Sequence, residues 1–249
     1  MKQAVKKIKP ASGYSHIFHI ALTIILPVLL YVLVRLNLSQ FAVLLVILSK
    51  WRIVSVRPRY WAMLLKANAV DLIVGISTVA FLVNTNSAIT QLGWATLYAI
   101  WLIVIKPKAG VGGISLQALI AFSYGLSAVY LELGAASAVI LMVLTWLMCY
   151  VAASHFLSSF DEPNAPFIAS AWALFGASLS WILSHWLLYY SVFSQTTMLL
   201  VVLGFGLATL YYLAKTARLT VWLKRQIVFI MTMVVIITLV FSDWSDKTI

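Results

Sequence analysis

Apolar runs approaching the roughly 20 residues that a membrane-crossing helix needs recur along the whole chain, parted only by short polar breaks. They predict helical spans at about 17–34, 38–56, 68–83, 88–105, 114–131, 136–154, 167–190, 197–214 and 227–241. The breaks carry ordinary turn and boundary chemistry. Arg35-Leu36-Asn37 makes a tight turn, Asn84-Thr85-Asn86-Ser87 an uncharged one, and Lys106-Pro107-Lys108 with Ala109-Gly110-Val111-Gly112-Gly113 a basic, Gly-rich one. Asn164 is placed to cap the seventh span, with Pro166 in its first turn. The second span is the shortest. Its clean apolar part is Phe41 to Leu48, and it reaches crossing length only if Lys50 and Arg52 lie in its last turns with their heads snorkelling to the interface.

Charge gives these spans a direction. The densest basic segment runs from Lys50 to Tyr60 and holds Arg52, Arg57 and Arg59, with Lys66 just beyond. Lys and Arg close to a span stay in the cytoplasm. With nine spans and a cytoplasmic N-terminus, all but Arg35 and Lys247 of the 17 Lys and Arg residues fall on the inner side. If the second span failed to cross, every later loop would change side and most of the cations would move outside. The positive-inside rule therefore supports a full crossing there. The expected fold class is an all-α polytopic transmembrane helix bundle of about nine spans, N-terminus cytoplasmic and C-terminus outside.

Composition agrees with that class. The hydrophobic fraction is 63% and the charged fraction 9%, against about 25% charged in ordinary soluble domains. Residues 1–249 read as a single integral membrane domain, with a short basic segment at 1–13. That segment (Lys2, Lys6, Lys7, Lys9) followed by an apolar run resembles a signal peptide, but no small-residue cleavage site follows, which predicts an uncleaved first span. The net charge of +11 forms no continuous stripe, so no nucleic-acid partner is expected. The expected location is the plasma (inner) membrane. Lys50, Arg52, Arg57 and Arg59 are the expected contacts to anionic lipid head groups, and a membrane-protein partner or a second copy would complete the surroundings. Cys149 stands alone in an apolar run and can form no internal disulfide.

Small residues at helix-packing spacing (Ser123 and Ser127, Gly176 and Ser180, Gly204 and Ala208) predict close helix contacts. The span centres carry no charge, which argues against coupling to a proton through a midplane carboxylate. Ionisable groups collect toward the cytoplasmic ends: His16 and His19 in the first span, Asp71 about a turn into the third, and His155, Asp161 and Glu162 in the connection between spans six and seven. His185 and Glu132 lie near outer ends. No metal-binding signature such as HExxH is present, and the sequence assigns no cofactor.

Lys50, six residues and then Arg57-Pro58 resemble the first phosphate-binding motif of the type-2 phosphatidic acid phosphatases, over those nine residues only. The Pro-Ser-Gly-His element and the later Ser-Arg, His and Asp elements of that family are absent, so the resemblance implies no shared activity. Gly176-Ala177-Ser178 likewise lacks the following Gly and later His of an intramembrane serine protease. Two functional readings remain open. The first is a non-enzymatic carrier of a small or lipidic solute, or a subunit of a membrane complex. The second is a membrane enzyme working on a lipid head group at the cytoplasmic face. It would use His155, Asp161 and Glu162 as catalytic candidates, with His16, His19, His155 and Asp161 as candidate metal ligands.

Overall fold

The structure is a computed structural model, and it describes residues 14–50, 57–186, 189–190 and 193–242. For 14–22, 62 and 189–190 it describes the backbone alone. The basic segment 1–13, together with Trp51, Arg52, Trp244 and Lys247, lies outside the described residues, as do the side chains of His16 and His19.

In hydrocarbon every backbone N–H and C=O must be satisfied within the protein, which leaves helices as the economical answer for apolar runs of this length. Helix α1 is Tyr14–Arg35, α2 Ser39–Leu48, α3 Trp61–Val83, α4 Ala88–Ile100, α5 Val111–Leu133, α6 Ala138–Ser158, α7 Ala165–Leu183, α8 Gln195–Lys215 and α9 Val221–Val240. Helix α4 continues as a π turn over Trp101–Ile105. The only strands among the described residues are β1 (Tyr189–Tyr190) and β2 (Phe193–Ser194), a two-residue antiparallel pair between α7 and α8. Among the described residues, seven helices are long and apolar enough to cross a membrane: Met63–Val83, Ala88–Ile105, Val111–Leu133, Ala138–Ser158, Ala165–Trp186, Gln195–Lys215 and Val221–Val240.

Several boundaries depart from the sequence pattern, each for a local reason. Helix α2 stops at Leu48, where the Ser49 hydroxyl bonds back to the Val46 carbonyl. Its 10 residues span about 15 Å at 1.5 Å per residue, half of the roughly 30 Å hydrocarbon thickness, so the described helix does not cross by itself. Helix α3 starts at Trp61, after Pro58 opens a 3₁₀ turn, but its first two turns are mostly exposed and continuous packing begins near Asn68. Helix α6 runs on to Ser158, which puts His155 in its last turn rather than in the following loop. Helix α7 ends at Leu183, short of Tyr190. Helix α9 begins at Val221 because the Thr220 hydroxyl caps the Leu223 N–H at 3.2 Å, so Lys224 and Arg225 lie inside the helix and not before it. Asn164 holds the N-cap position of α7 without a side-chain bond, and Pro166 follows in the first turn.

The bundle has two halves that meet where α5 packs on α3. In the first, α1 to α4 enclose a core of Leu30, Val46, Val74, Leu82, Tyr98 and Trp101. In the second, α5 to α8 enclose Phe122, Leu126, Tyr130, Cys149, Ala173 and Leu200. Glycines set the closest approaches. A Cβ on Gly176 would lie 2.4 Å from the Cys149 sulfur, and one on Gly206 would lie 2.1 Å from the sulfur of Met231 on α9. Ser180, a turn from Gly176, accepts the Tyr130 hydroxyl at 2.7 Å and lies 3.2 Å from Thr145, so one buried hydroxyl cluster ties α5, α6 and α7. Of the small-residue pairs read from the sequence, Gly176 and Ser180 thus fall on a helix contact. Helix α9 leans on α8, and Phe229, Ile230, Ile237 and Val240 on it are exposed, as expected of surface facing lipid.

Gly75 offers a test of this packing. Its Cβ would stand 2.6 Å from Val46 Cγ1 and 2.9 Å from the Tyr98 hydroxyl, two side chains that are themselves fully enclosed. Gly75→Ala is expected to destabilise the protein by about 1–3 kcal/mol, the usual cost of overpacking, read as a lower unfolding temperature in detergent. An unchanged temperature would mean that α2 and α4 do not close on α3 as described.

Candidate functional site

The residues that define one end of the bundle are charged. Asp71 leaves α3 at the start of its packed part and is 8% exposed at the side chain. Its Oδ2 faces the ammonium groups of Lys50, in the turn after α2, and of Lys106, after the π turn, the latter at 2.7 Å. Its Oδ1 accepts the Trp101 indole N–H at 2.8 Å. The π turn explains how Trp101 and Lys106 reach the same carboxylate. Five residues apart on a regular α-helix they would point about 140° from each other, whereas a turn closed by an i to i+5 bond brings them nearly into line. That bond is present, from Lys106 N to Trp101 O at 2.9 Å. Two cations on one anion leave the cluster net positive, and Lys106, 38% exposed, carries the excess toward the surface.

Beside this cluster, Gln117 on α5 organises the connection from α4. Its amide N–H groups face the carbonyls of Ile105, Lys106 and Lys108 at 2.9, 3.1 and 2.9 Å. Its Oε1 pairs with His155 Nε2 at 3.1 Å. An amide oxygen can only accept, so Nε2 of His155 carries the proton. The histidine is thereby used to join the end of α6 to the α4–α5 connection.

The third group at this end surrounds Glu162, in the connection from α6 to α7. Its Oε2 accepts the Tyr211 hydroxyl and the Lys215 ammonium, the latter at 2.8 Å. Lys215 also lies 5.5 Å from the centre of the Tyr211 ring, a cation–π distance. The hydrogen bond from Lys215, followed by that from Tyr211, holds the Glu162 carboxyl below the ordinary glutamate range. Only 11% of its side chain is exposed, against 46% of Lys215.

Tyr211 links this ion pair to an apolar concavity. A groove of about 580 Å³ runs between α5, α6, α7 and α8, within the roughly 300–1,000 Å³ of known ligand sites. Its walls are nearly all apolar, with Phe122, Phe156, Trp172, Gly204, Ala208 and Tyr211 among them. The lining comes from the first half of α5, the last turns of α6, the first turns of α7 and the second half of α8. All of these lie toward the basic end. Gly204 keeps it open, since a Cβ there would meet Phe122 at 2.9 Å and Trp172 at 3.1 Å.

Against this geometry the candidates named from sequence separate. Lys50 is 11% exposed and pairs with Asp71. Arg57 and Arg59 are exposed, with Arg59 over the Tyr60 ring at 4.6 Å. His155 is held by Gln117 and Glu162 by Tyr211 and Lys215, while Asp161 is exposed with a left-handed backbone (φ 51°). Among the described residues no three His, Cys, Asp or Glu side chains come together as a metal site. At the opposite end Glu132 accepts the Asn84 amide at 2.7 Å and His185 Nδ1 meets the Trp181 carbonyl at 3.1 Å, both local ties. Sequence reasoning did not find Gln117, Trp101 or Tyr211. Trp101 five residues before Lys106 was a visible signal only if the π turn was foreseen, and the groove had no signal beyond Gly204 and Ala208.

These features define a helical, membrane-embedded multi-pass protein with a buried ion cluster and an apolar groove at one end. No protein-family model, no curated protein and no solved structure matches the chain.

Two outcomes test this description. Asp71→Asn leaves Lys50 and Lys106 facing each other without an anion and should cost about 3–5 kcal/mol, the range for breaking a buried ion pair from one side. A Lys50→Met, Asp71→Leu, Lys106→Met triple variant should recover most of that loss, with both read as melting temperatures. A harmless single variant would remove the cluster as a structural element. For Glu162 the sign follows from its lowered pKa. The contact stabilises the fold at neutral pH and is lost as pH falls through the folded value, below the unfolded glutamate value of about 4.3. The melting difference between wild type and Glu162→Gln should therefore be widest near neutrality and close in strong acid.

Proposed function

We propose that the protein is a non-enzymatic carrier of a lipidic solute, holding an apolar chain in the groove between α5 and α8, with the basic end of the bundle on the cytoplasmic side. The groove carries this reading: its walls are nearly all apolar, and at the basic end a polar ion pair borders it through Tyr211. An apolar chain has no reason to leave lipid for a flat helix surface, because lipid tails are as apolar as leucine. A concave wall of aromatic rings offers closer dispersion contact than mobile tails can. The positive-inside rule supports the orientation, since Lys50, Arg57, Arg59, Lys66, Lys106, Lys108, Lys215 and Arg218 all belong to this end. The separate partners of His155 and Glu162, with Asp161 exposed, favour a carrier over a head-group enzyme, whose acid and base must reach one substrate.

The test fills the groove. Ala208 lies on its wall, and Ala208→Trp would occupy the space from one side. In nanodiscs containing a phosphatidylcholine with a photoreactive group in its acyl chain, wild type should be labelled preferentially on α5, α7 and α8. Ala208→Trp should lose that labelling several-fold and keep the general labelling of α9. Equal labelling around the whole bundle in wild type would sink the proposal.

A further inference from the structure

We infer that the mouth of the groove is a head-group site for an anionic phospholipid, formed by the Lys215 ammonium and the Tyr211 hydroxyl, and that Glu162 is an internal plug which such a lipid displaces. The inference rests on the reading of the groove as a chain site and names the lipid that it takes.

Tyr211 belongs to both parts of the site. Its ring is groove wall, and its hydroxyl donates to Glu162 Oε2. Lys215 follows four residues later on the same face of α8, and its ammonium meets the same oxygen. Two donors of different kinds thus converge on one anionic oxygen at the polar end of an apolar trough. A phosphate oxygen of a lipid whose chain lies in the groove would occupy that position and accept the same two hydrogen bonds. Such charge-assisted bonds are the strong ones, and a phosphodiester offers more acceptor oxygens than the single carboxylate oxygen now used.

The geometry also makes Glu162 exchangeable. It comes from the short connection between α6 and α7 and not from a helix interior. The residue before it, Asp161, is exposed and held at φ 51°, a conformation that aspartate tolerates poorly over many residues but adopts singly at turns. Lys215 is nearly half exposed, and ion pairs at that exposure are weakly held. Arg218, also exposed, follows Lys215 by three residues just past the end of α8, so the chain leaving this helix adds positive charge that favours an anion once Glu162 is displaced. A zwitterionic head group would bring its own cation against Lys215 and Arg218.

The experiment compares retained lipid by native mass spectrometry of the full chain released from micelles holding equal phosphatidylglycerol and phosphatidylcholine with identical acyl chains. Wild type should retain phosphatidylglycerol several-fold over phosphatidylcholine. Glu162→Gln should raise phosphatidylglycerol retention further, a gain that misfolding cannot produce. Lys215→Gln should abolish the preference while both lipids stay bound, and Lys215→Arg should restore it. Inorganic phosphate at millimolar concentration should not compete, because it has no chain to fill the groove; competition by it would mean a free-anion site and overturn the lipid assignment. Equal retention of the two lipids, unmoved by the Glu162 and Lys215 variants, would overturn the head-group site and leave the chain site standing. Loss of all lipid from wild type, matching Ala208→Trp, would remove the chain site as well.

Discussion

A carboxylate in a lipid-embedded bundle must be compensated, and the way Asp71 is compensated constrains half of the molecule. Desolvating an ion costs several kcal/mol even after relaxation, so each of the three donors to Asp71 has to be delivered at a fixed depth. Lys50 delivers one from α2, and Trp101 and Lys106 deliver two from the π turn that ends α4. The shortness of α2 and the depth of Asp71 are the same fact seen twice. A helix of full crossing length would carry Lys50 out to the interface, beyond reach of a carboxylate that sits in the packed part of α3. Ending at Leu48 and turning at Ser49 keeps the ammonium inside. The π turn performs the matching adjustment on α4.

Most helices were legible because their signal is a long apolar run, and a run of that length has few alternatives in any solvent. The span at 88–105 was read to its ends, since Ser87 before it and Lys106-Pro107 after it are unambiguous. For the second span, read at 38–56, the described helix covers Ser39–Leu48, and residues 51–56 lie outside the described residues. Charge counting asks only which side a loop is on, and Lys50 satisfies it equally well as a snorkelling interfacial residue or as an inward partner of Asp71. The position of Asp71 one turn into the packed part of α3 was readable, but its partners were not. Twenty-one residues separate it from Lys50 and 30 from Trp101, and no local pattern encodes such distances. The acidic connection at 155–162 was also read as one group because its residues are close in sequence. Helix α6 extends three residues past His155, which turns the histidine toward Gln117 and leaves Glu162 to the far end of α8.

The same chemistry, a lysine on a carboxylate, therefore occurs twice at one end of the bundle under opposite physical conditions. Lys50 and Asp71 are 11% and 8% exposed, and a third and fourth group close around them. Removing Asp71 or Lys50 leaves a poorly hydrated charge with less compensation, which makes the cluster a fixed joint. Lys215 is 46% exposed and pairs with a carboxylate carried by a loop. There, water and salt reach the ammonium and screen the pair from that side, while the carboxylate is 11% exposed. A joint that must not open and a contact that can be exchanged differ here in burial and not in residue type. The more exposed one is the one that borders an apolar groove, and on the proposed carrier reading that coincidence gives α5 to α8 the ligand and leaves α1 to α4 as the frame.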